Sequence, residues 1–156
     1  MFRNNNTHTQ TPTLFLDFDG VLHRGHAKPS SYLCKMPLLI QAIGAFNVKI
    51  IVSSSWRFQM TYTEIKMLFP HILRSKLDGM TGVAFIGPHA RWNEITTCVR
   101  DRKIANWRAL DDSFFEFPKS CDELICCEGG KGLEATQVSE IQSWLGEFQL
   151  SEFDKK

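Results

Sequence analysis

A three-layer α/β fold with a mainly parallel central sheet follows from two features of the sequence. Short β-branched or apolar runs alternate with segments of helical period, the pattern of strands joined by crossover helices. Three strand candidates also end in residues that carry chemistry: Asp17 and Asp19, then Ser53 and Ser54, then Asp111 and Asp112. In open parallel sheets ligands gather at such ends, so these residues are expected to face one cavity. At 156 residues and 43% hydrophobic content, the chain suits one domain with its own core.

Residues 1–12 are polar, carry no period and end in Pro12, and they read as a flexible leader. The domain is taken as residues 13–150 and a tail as 151–156. Leu14-Phe15-Leu16 runs straight into Asp17-Phe18-Asp19-Gly20-Val21-Leu22, a buried strand opening into a polar site. Because strand side chains alternate, Asp17 and Asp19 are expected on one side and Phe18 on the other. Gly20 lets the chain turn tightly. Two unpaired carboxylates about 4 Å apart repel by about 4 kcal/mol at an effective dielectric of about 20, which invites a cation or a shared proton. A hard divalent ion such as Mg²⁺ suits oxygen ligands.

Residues 23–31 form an irregular loop beside that strand end and a candidate flap. Its His23 and His26 read as substrate contacts or plain surface histidines. Pro37 through Phe46 reads as a helix stopped near Asn47. Val48–Val52 is the second strand, followed at once by Ser53-Ser54-Ser55-Trp56-Arg57. The serines either cap the next helix or line the cavity of the acids, and the first motif favours the second reading.

Thr61 through Phe69 is helical and ends at Pro70. Asp78-Gly79, Gly82 and Gly87-Pro88 signal turns around a short strand near Val83–Ile86. Arg91 to Arg100 is the next helix, and an arginine at its start opposes the helix dipole, which suggests another job. Ile104–Leu110 leads into Asp111-Asp112-Ser113. Leu124–Cys127 is a further strand, and the glycine-rich Glu128–Gly132 lacks the spacing of a P-loop. Ala135 through Phe148 carries Val138, Ile141, Trp144, Leu145 and Phe148 at helical intervals and reads as a core-facing helix.

Eighteen basic and 17 acidic residues leave a formal charge of +1, too little for a bulk field that attracts nucleic acid or an anionic membrane. Five cysteines without a C-x-x-C pair indicate reduced thiols rather than a zinc ribbon or a disulfide framework. No apolar run approaches membrane-spanning length and no signal peptide opens the chain. A soluble, cytoplasmic protein with no membrane contact is expected, and nothing requires an obligate protein partner.

The ordered set of strand ends, with Arg91 upstream of the last, resembles the haloacid dehalogenase-like (HAD) superfamily and its Rossmann-like fold. That signature is a strand ending D-x-D-G-[VT], a second ending in Ser or Thr, a Lys or Arg, and an acidic pair after a further strand. Ser54-Ser55-Trp56-Arg57, Arg91 with Glu94-Ile95, and Ala109-Leu110-Asp111-Asp112 followed by Gly132-Leu133 resemble the small HAD group of RNA-repair gene contexts. The resemblance implies a Mg²⁺-dependent phosphatase in which Asp17 is the nucleophile and Asp19 the general acid and base. It places Mg²⁺ on Asp17, the Asp19 backbone carbonyl and an aspartate of the 111–112 pair. Ser54, or its neighbour Ser53, would bond the phosphoryl oxygens and Arg91 would balance their charge.

Gly20, Ser53, Ser55, Trp56 and Arg57 are the remaining substrate-side candidates. Trp56 reads either as a stacking platform with Arg57, His23, Arg24 and Lys28 at the rim, or as core. The short connections leave no room for a large cap domain, so the site is expected to be open. Such a site permits a phosphorylated small molecule or a nucleic-acid end without demanding either, and nucleotide, sugar phosphate, phosphoprotein and RNA end are all left open as substrates. The competing readings are a catalytically weak phosphate- or nucleic-acid-binding module on the same fold, and a phospho-acceptor signalling domain.

Overall fold

The computed structural model describes residues 10–153. Five strands form one parallel sheet: β1 (Thr13–Leu16), β2 (Lys49–Val52), β3 (Leu77–Met80), β4 (Trp107–Asp111) and β5 (Leu124–Cys126). Their spatial order is β3-β2-β1-β4-β5. The helices are α1 (Met36–Ile43), α2 (Tyr62–Leu68), α3 (His71–Arg74), α4 (Ala90–Arg102) and α5 (Ala135–Phe153). The three-layer α/β architecture expected from the sequence is the one observed, without a large cap. Residues 17–35 are the whole connection from β1 to α1, and residues 53–61 that from β2 to α2.

Alternation along the central strands builds two cores. Leu14, Leu16, Ile50 and Val52 pack with Leu39 and Ile43 of α1, Ile65 of α2, and Ile141 and Leu145 of α5. Phe15, Ile51, Trp107 and Ala109 face the other way, onto Ile95 and Cys98 of α4 and Phe117. Fully burying each large side chain of this kind contributes roughly 1.5–3 kcal/mol. The central strands, covered on both faces, therefore read in the sequence as unbroken apolar runs.

One strand lies elsewhere than expected. Val83–Ile86 is loop, with Val83 79% and Ile86 99% exposed. The strand is Leu77-Asp78-Gly79-Met80, whose Asp-Gly pair imitates a turn. As an edge strand, β3 tolerates these residues. Arg102 covers it, donating to the Asp78 carbonyl at 2.6 Å, and a Cβ on Gly79 would lie 2.6 Å from the same guanidinium.

Residues 1–9 of the expected leader lie outside the described residues, but residues 10–12 are tied to the domain. Gln10 donates to the Lys103 carbonyl at 3.1 Å and accepts from the Ala105 N–H at 2.5 Å, while Lys49 N–H donates to the Pro12 carbonyl. Of the expected tail, residues 151–153 continue α5 and 154–156 lie outside the described residues. Among the described residues no helix is long and apolar enough to cross a membrane.

Candidate active site

Register decides which strand-end side chains meet. Leu16 is level with Val52 on one side and Leu110 on the other, so the next residues, Asp17, Ser53 and Asp111, form one row across three strands. They share the parity of Phe15, Ile51 and Ala109 and therefore emerge on the α4 side. There the first turn of α4 supplies Arg91. Its Nη1 lies 3.4 Å from Asp17 Oδ1 and 3.3 Å from Asp111 Oδ2, and it donates to the Ser53 carbonyl. The Glu116 carboxylate accepts from the Arg91 backbone N–H at 3.1 Å, supplying the negative charge that this helix start favours.

Asp17, Asp111 and Asp112 bring one carboxylate oxygen each within 4.8 Å of one another. Burial and then the Asp111 charge push the Asp17 carboxyl up to about 8, with Arg91 only partly offsetting them. Burial likewise raises Asp111 and Asp112. Burial works against the Arg91 charge, but Asp111, Asp17 and Glu94 outweigh it and its pKa is raised. One guanidinium faces three carboxylates, and among the described residues the buried Asp111 Oδ2 has no hydrogen bond of good geometry. Two backbones close on the third carboxylate: a Cβ on Gly20 would lie 2.1 Å, and one on Gly129 2.5 Å, from Asp112 Oδ2. Gly20 also has φ +76°, which side chains rarely adopt. An oxygen-only donor set with surplus negative charge fits a hard divalent cation such as Mg²⁺.

Asp19 is built differently. β1 ends at Leu16, so the alternation expected to align Asp17 with Asp19 stops at the first of them, and Asp19 sits in the following turn. Its carboxylate is outside the three-aspartate cluster and 54% exposed, and each of its oxygens has a donor. His23 Nε2 lies 2.8 Å from Oδ1, and Trp56 Nε1–H donates to Oδ2 at 3.0 Å. Leu33 N–H donates to His23 Nδ1 at 3.2 Å, which leaves the proton of a neutral ring on Nε2, facing Asp19. Asp17 and Asp19 still line one cleft of about 460 Å³, with Gly25, Tyr32, Arg91 and Asp112.

Other expected site residues take different places. His23 is 1% exposed, not a surface histidine, because the loop folds its ring beneath Tyr32 and against Trp56. Arg57 is buried rather than at the rim. It donates to the carbonyls of Ser53, Ser54 and Gly82 and pairs with Glu94 at 3.0 Å, so it braces the β2 end. Trp56 packs edge-on against Phe18 while its indole N–H reaches Asp19. Ser54 Oγ accepts from Trp56 N–H as the cap of the 3₁₀ turn Ser55–Phe58, whereas Ser53 Oγ is buried without a partner among the described residues. Ser55 is exposed on the cleft wall. Arg24 and Lys28 are exposed.

Sequence reasoning missed Tyr32, Ser113 and Gly129 as cleft or cradle residues and Glu94 as the partner of Arg57. The glycine-rich loop after β5 was the available signal for Gly129. Gly25 N–H donates to the Gly129 carbonyl, locking that loop against the β1 connection beside Asp112.

A parallel α/β sheet whose central ends gather three aspartates, a buried serine and an arginine defines the class: a small HAD-like domain. The family model described as the HAD domain in Swiss Army Knife RNA repair proteins matches residues 13–138, and the chain belongs to that family. Membership supports a phosphatase-type role in general and a metal of the Mg²⁺ type, for which the aspartate cluster is suited. No curated protein and no solved structure matched the chain.

Proposed function

We propose that this domain is a Mg²⁺-dependent phosphatase that works through an aspartyl-phosphate on Asp17. The observation that carries the reading is the division of labour between Asp17, buried against Arg91 and two carboxylates, and Asp19, solvated and held by two donors. An Asp17 oxygen attacks phosphorus, the bond to the leaving oxygen breaks, and Asp19 gives that oxygen its proton. Asp19 then takes a proton from water as the water attacks phosphorus, the Asp17–phosphorus bond breaks, and phosphate leaves. In this reading Arg91 would balance the charge that develops on the phosphoryl oxygens and the Ser53 hydroxyl would bond one of them. Mg²⁺, held by Asp17, Asp111 and Asp112, would neutralise that charge and keep Asp17 ionised at neutral pH. Because Ser54 is engaged as a cap, the hydroxyl role goes to Ser53.

The open cleft admits a phosphorylated small molecule or a nucleic-acid end, and the RNA-repair association of the family favours the latter. Five free thiols suit a cytoplasmic setting. The test is phosphate release from an aryl phosphate and from phosphorylated oligonucleotides, with Mg²⁺ or EDTA, for wild type and Asp17→Asn. Hydrolysis that needs both metal and Asp17 is expected, with the variant folded and inactive. Turnover by a folded Asp17→Asn protein would remove the mechanism. Silence on every ester with Mg²⁺ still binding would favour a phosphate-binding module.

A further inference from the structure

Asp19 and Tyr32 form a ridge between two clefts. On one side lies the cleft of about 460 Å³ that holds Asp17, Arg91 and Asp112. On the other lies a cleft of about 370 Å³ lined by Asp19, Tyr32, Trp56, Gln59 and Met60. The proposed function assigns the phosphoryl group to the first cleft, because the nucleophile and Arg91 are there. Asp19 must then reach the leaving oxygen, so the alcohol portion of the ester extends over the ridge. We infer that the second cleft is the leaving-group subsite and that it takes an uncharged, planar group, an aryl or nucleoside-type alcohol. This inference rests on the phosphatase reading for its orientation.

The walls argue for that chemical class. Tyr32 is 44% exposed and stands edge-on to Trp56, with ring centroids 5.3 Å apart. Trp56 is fixed from behind by its edge contact with Phe18 and by the hydrogen bond it donates to Asp19. His23, with its centroid 4.9 Å from Tyr32, supports the second wall. Aromatic walls fixed before binding give up little side-chain freedom when a flat group stacks on them. Met60 supplies a polarizable apolar surface and Gln59 one amide that can donate and accept. Among the described residues Asp19 alone of those lining this cleft is charged, so the part of the leaving group that enters it is uncharged.

The test compares naphthyl phosphate with phenyl phosphate, whose leaving alcohols have closely matched acidity and differ in planar area. Wild type, Tyr32→Leu and Met60→Ala are assayed with Mg²⁺. In parallel, the indole N–H resonance of Trp56 in the labelled wild-type protein is followed during titration with naphthol or cyclohexanol. Wild type is expected to favour the naphthyl ester in kcat/KM by roughly three- to tenfold, the range for one aromatic contact. Both substitutions should bring the ratio close to one. A disturbed Asp19 slows both esters alike, so the ratio isolates the cleft from the proton donor. Naphthol should move the Trp56 resonance and cyclohexanol should not. Equal turnover of the two esters by wild type, or an unmoved resonance, overturns the assignment. No turnover of either ester or of a phosphorylated oligonucleotide, with the naphthol shift present, supports the cleft as an aromatic site and overturns the phosphatase reading instead.

Discussion

Asp17 is buried among carboxylates at the end of β1, whereas Asp19, two residues on, stands half in solvent with a donor on each oxygen. Burial and Asp111 favour the neutral form of Asp17 and Arg91 offsets them only in part, so a cation in the cluster would stabilise its anion. Asp19 instead accepts from a donor on each oxygen and remains in contact with water. Identical side chains are driven to different chemistry by burial and by the charge of their neighbours. The cluster around Asp17 is held by strands and glycine backbones, while the clamp on Asp19 is assembled from a loop and a 3₁₀ turn. Damage to each should therefore look different.

The largest effect is expected at the wall of the cluster. Gly20→Ala places a methyl group where Asp112 Oδ2 now lies and forces φ +76° on a residue with a Cβ. The strained backbone costs roughly 1–3 kcal/mol. Displacing Asp112 opens the cation site, so a loss of at least about a hundredfold in kcat/KM is expected, the scale of small misplacements in catalytic geometry. Calorimetry of Mg²⁺ binding checks the cause: a variant that keeps wild-type metal affinity and activity would show that the glycine cradle is dispensable.

Damage to the clamp should be smaller and selective. His23→Ala removes the donor to Asp19 Oδ1 and leaves Trp56 to hold the carboxylate alone. Since general acid help is typically worth 10²–10⁴, losing half of the clamp is expected to cost roughly tenfold or more on alkyl phosphates. In kcat/KM, which reads formation of the aspartyl-phosphate and not its hydrolysis, an ester with an acidic leaving group needs little protonation and should be nearly unaffected. A parallel drop on both substrates would mean that His23 serves packing rather than Asp19.

The two regions also differ in what pH does to them. The folded-state pKa of Asp17, raised to about 8 from an ordinary 3.8, means that between those values the folded protein binds a proton that the unfolded chain has released. Stability of the metal-free protein is therefore fullest below about pH 4 as far as this group is concerned, and falls as pH rises toward 8. Burial also raises Asp111 and Asp112, which adds to the same slope. Melting temperatures in EDTA should decline across that window. Mg²⁺ held by the ionised carboxylates would raise the melting temperature most at the upper end. A flat profile in EDTA, or stabilisation by Mg²⁺ that is independent of pH, would contradict the frustrated cluster.

The strand-end acids were legible because β1, β2 and β4 are buried on both faces and their apolar runs stop where the chemistry begins. β3 was not, since an edge strand needs no apolar run and Asp78-Gly79 has the composition of a turn. Local composition also marked Arg57 as a rim cation, but the 3₁₀ turn directs it inward to Glu94, a partner 37 positions away. His23 depends on Leu33 N–H, brought back by a loop whose path no periodicity describes. Non-local partners of this kind separate a motif, which sequence spacing reveals, from the support that makes it work.

The smallest effects separate Ser53 from Ser54, which a one-residue change of parity distinguishes and composition does not. Ser54 Oγ accepts from Trp56 N–H, so Ser54→Ala loses a cap worth roughly 0.5–2 kcal/mol and should melt earlier while keeping most of its activity. Ser53 Oγ is buried without a partner among the described residues, and removing an unsatisfied hydroxyl relieves a desolvation cost. Ser53→Ala should therefore melt no earlier than wild type, yet lose about tenfold in kcat/KM if its hydroxyl bonds the phosphoryl oxygens. Thermal melts and kinetics on the same two variants read both quantities. If Ser54→Ala proves the slower enzyme and Ser53→Ala the less stable protein, the phosphoryl contact belongs to Ser54, and the strand parity that aligns Ser53 with Asp17 and Asp111 does not carry it.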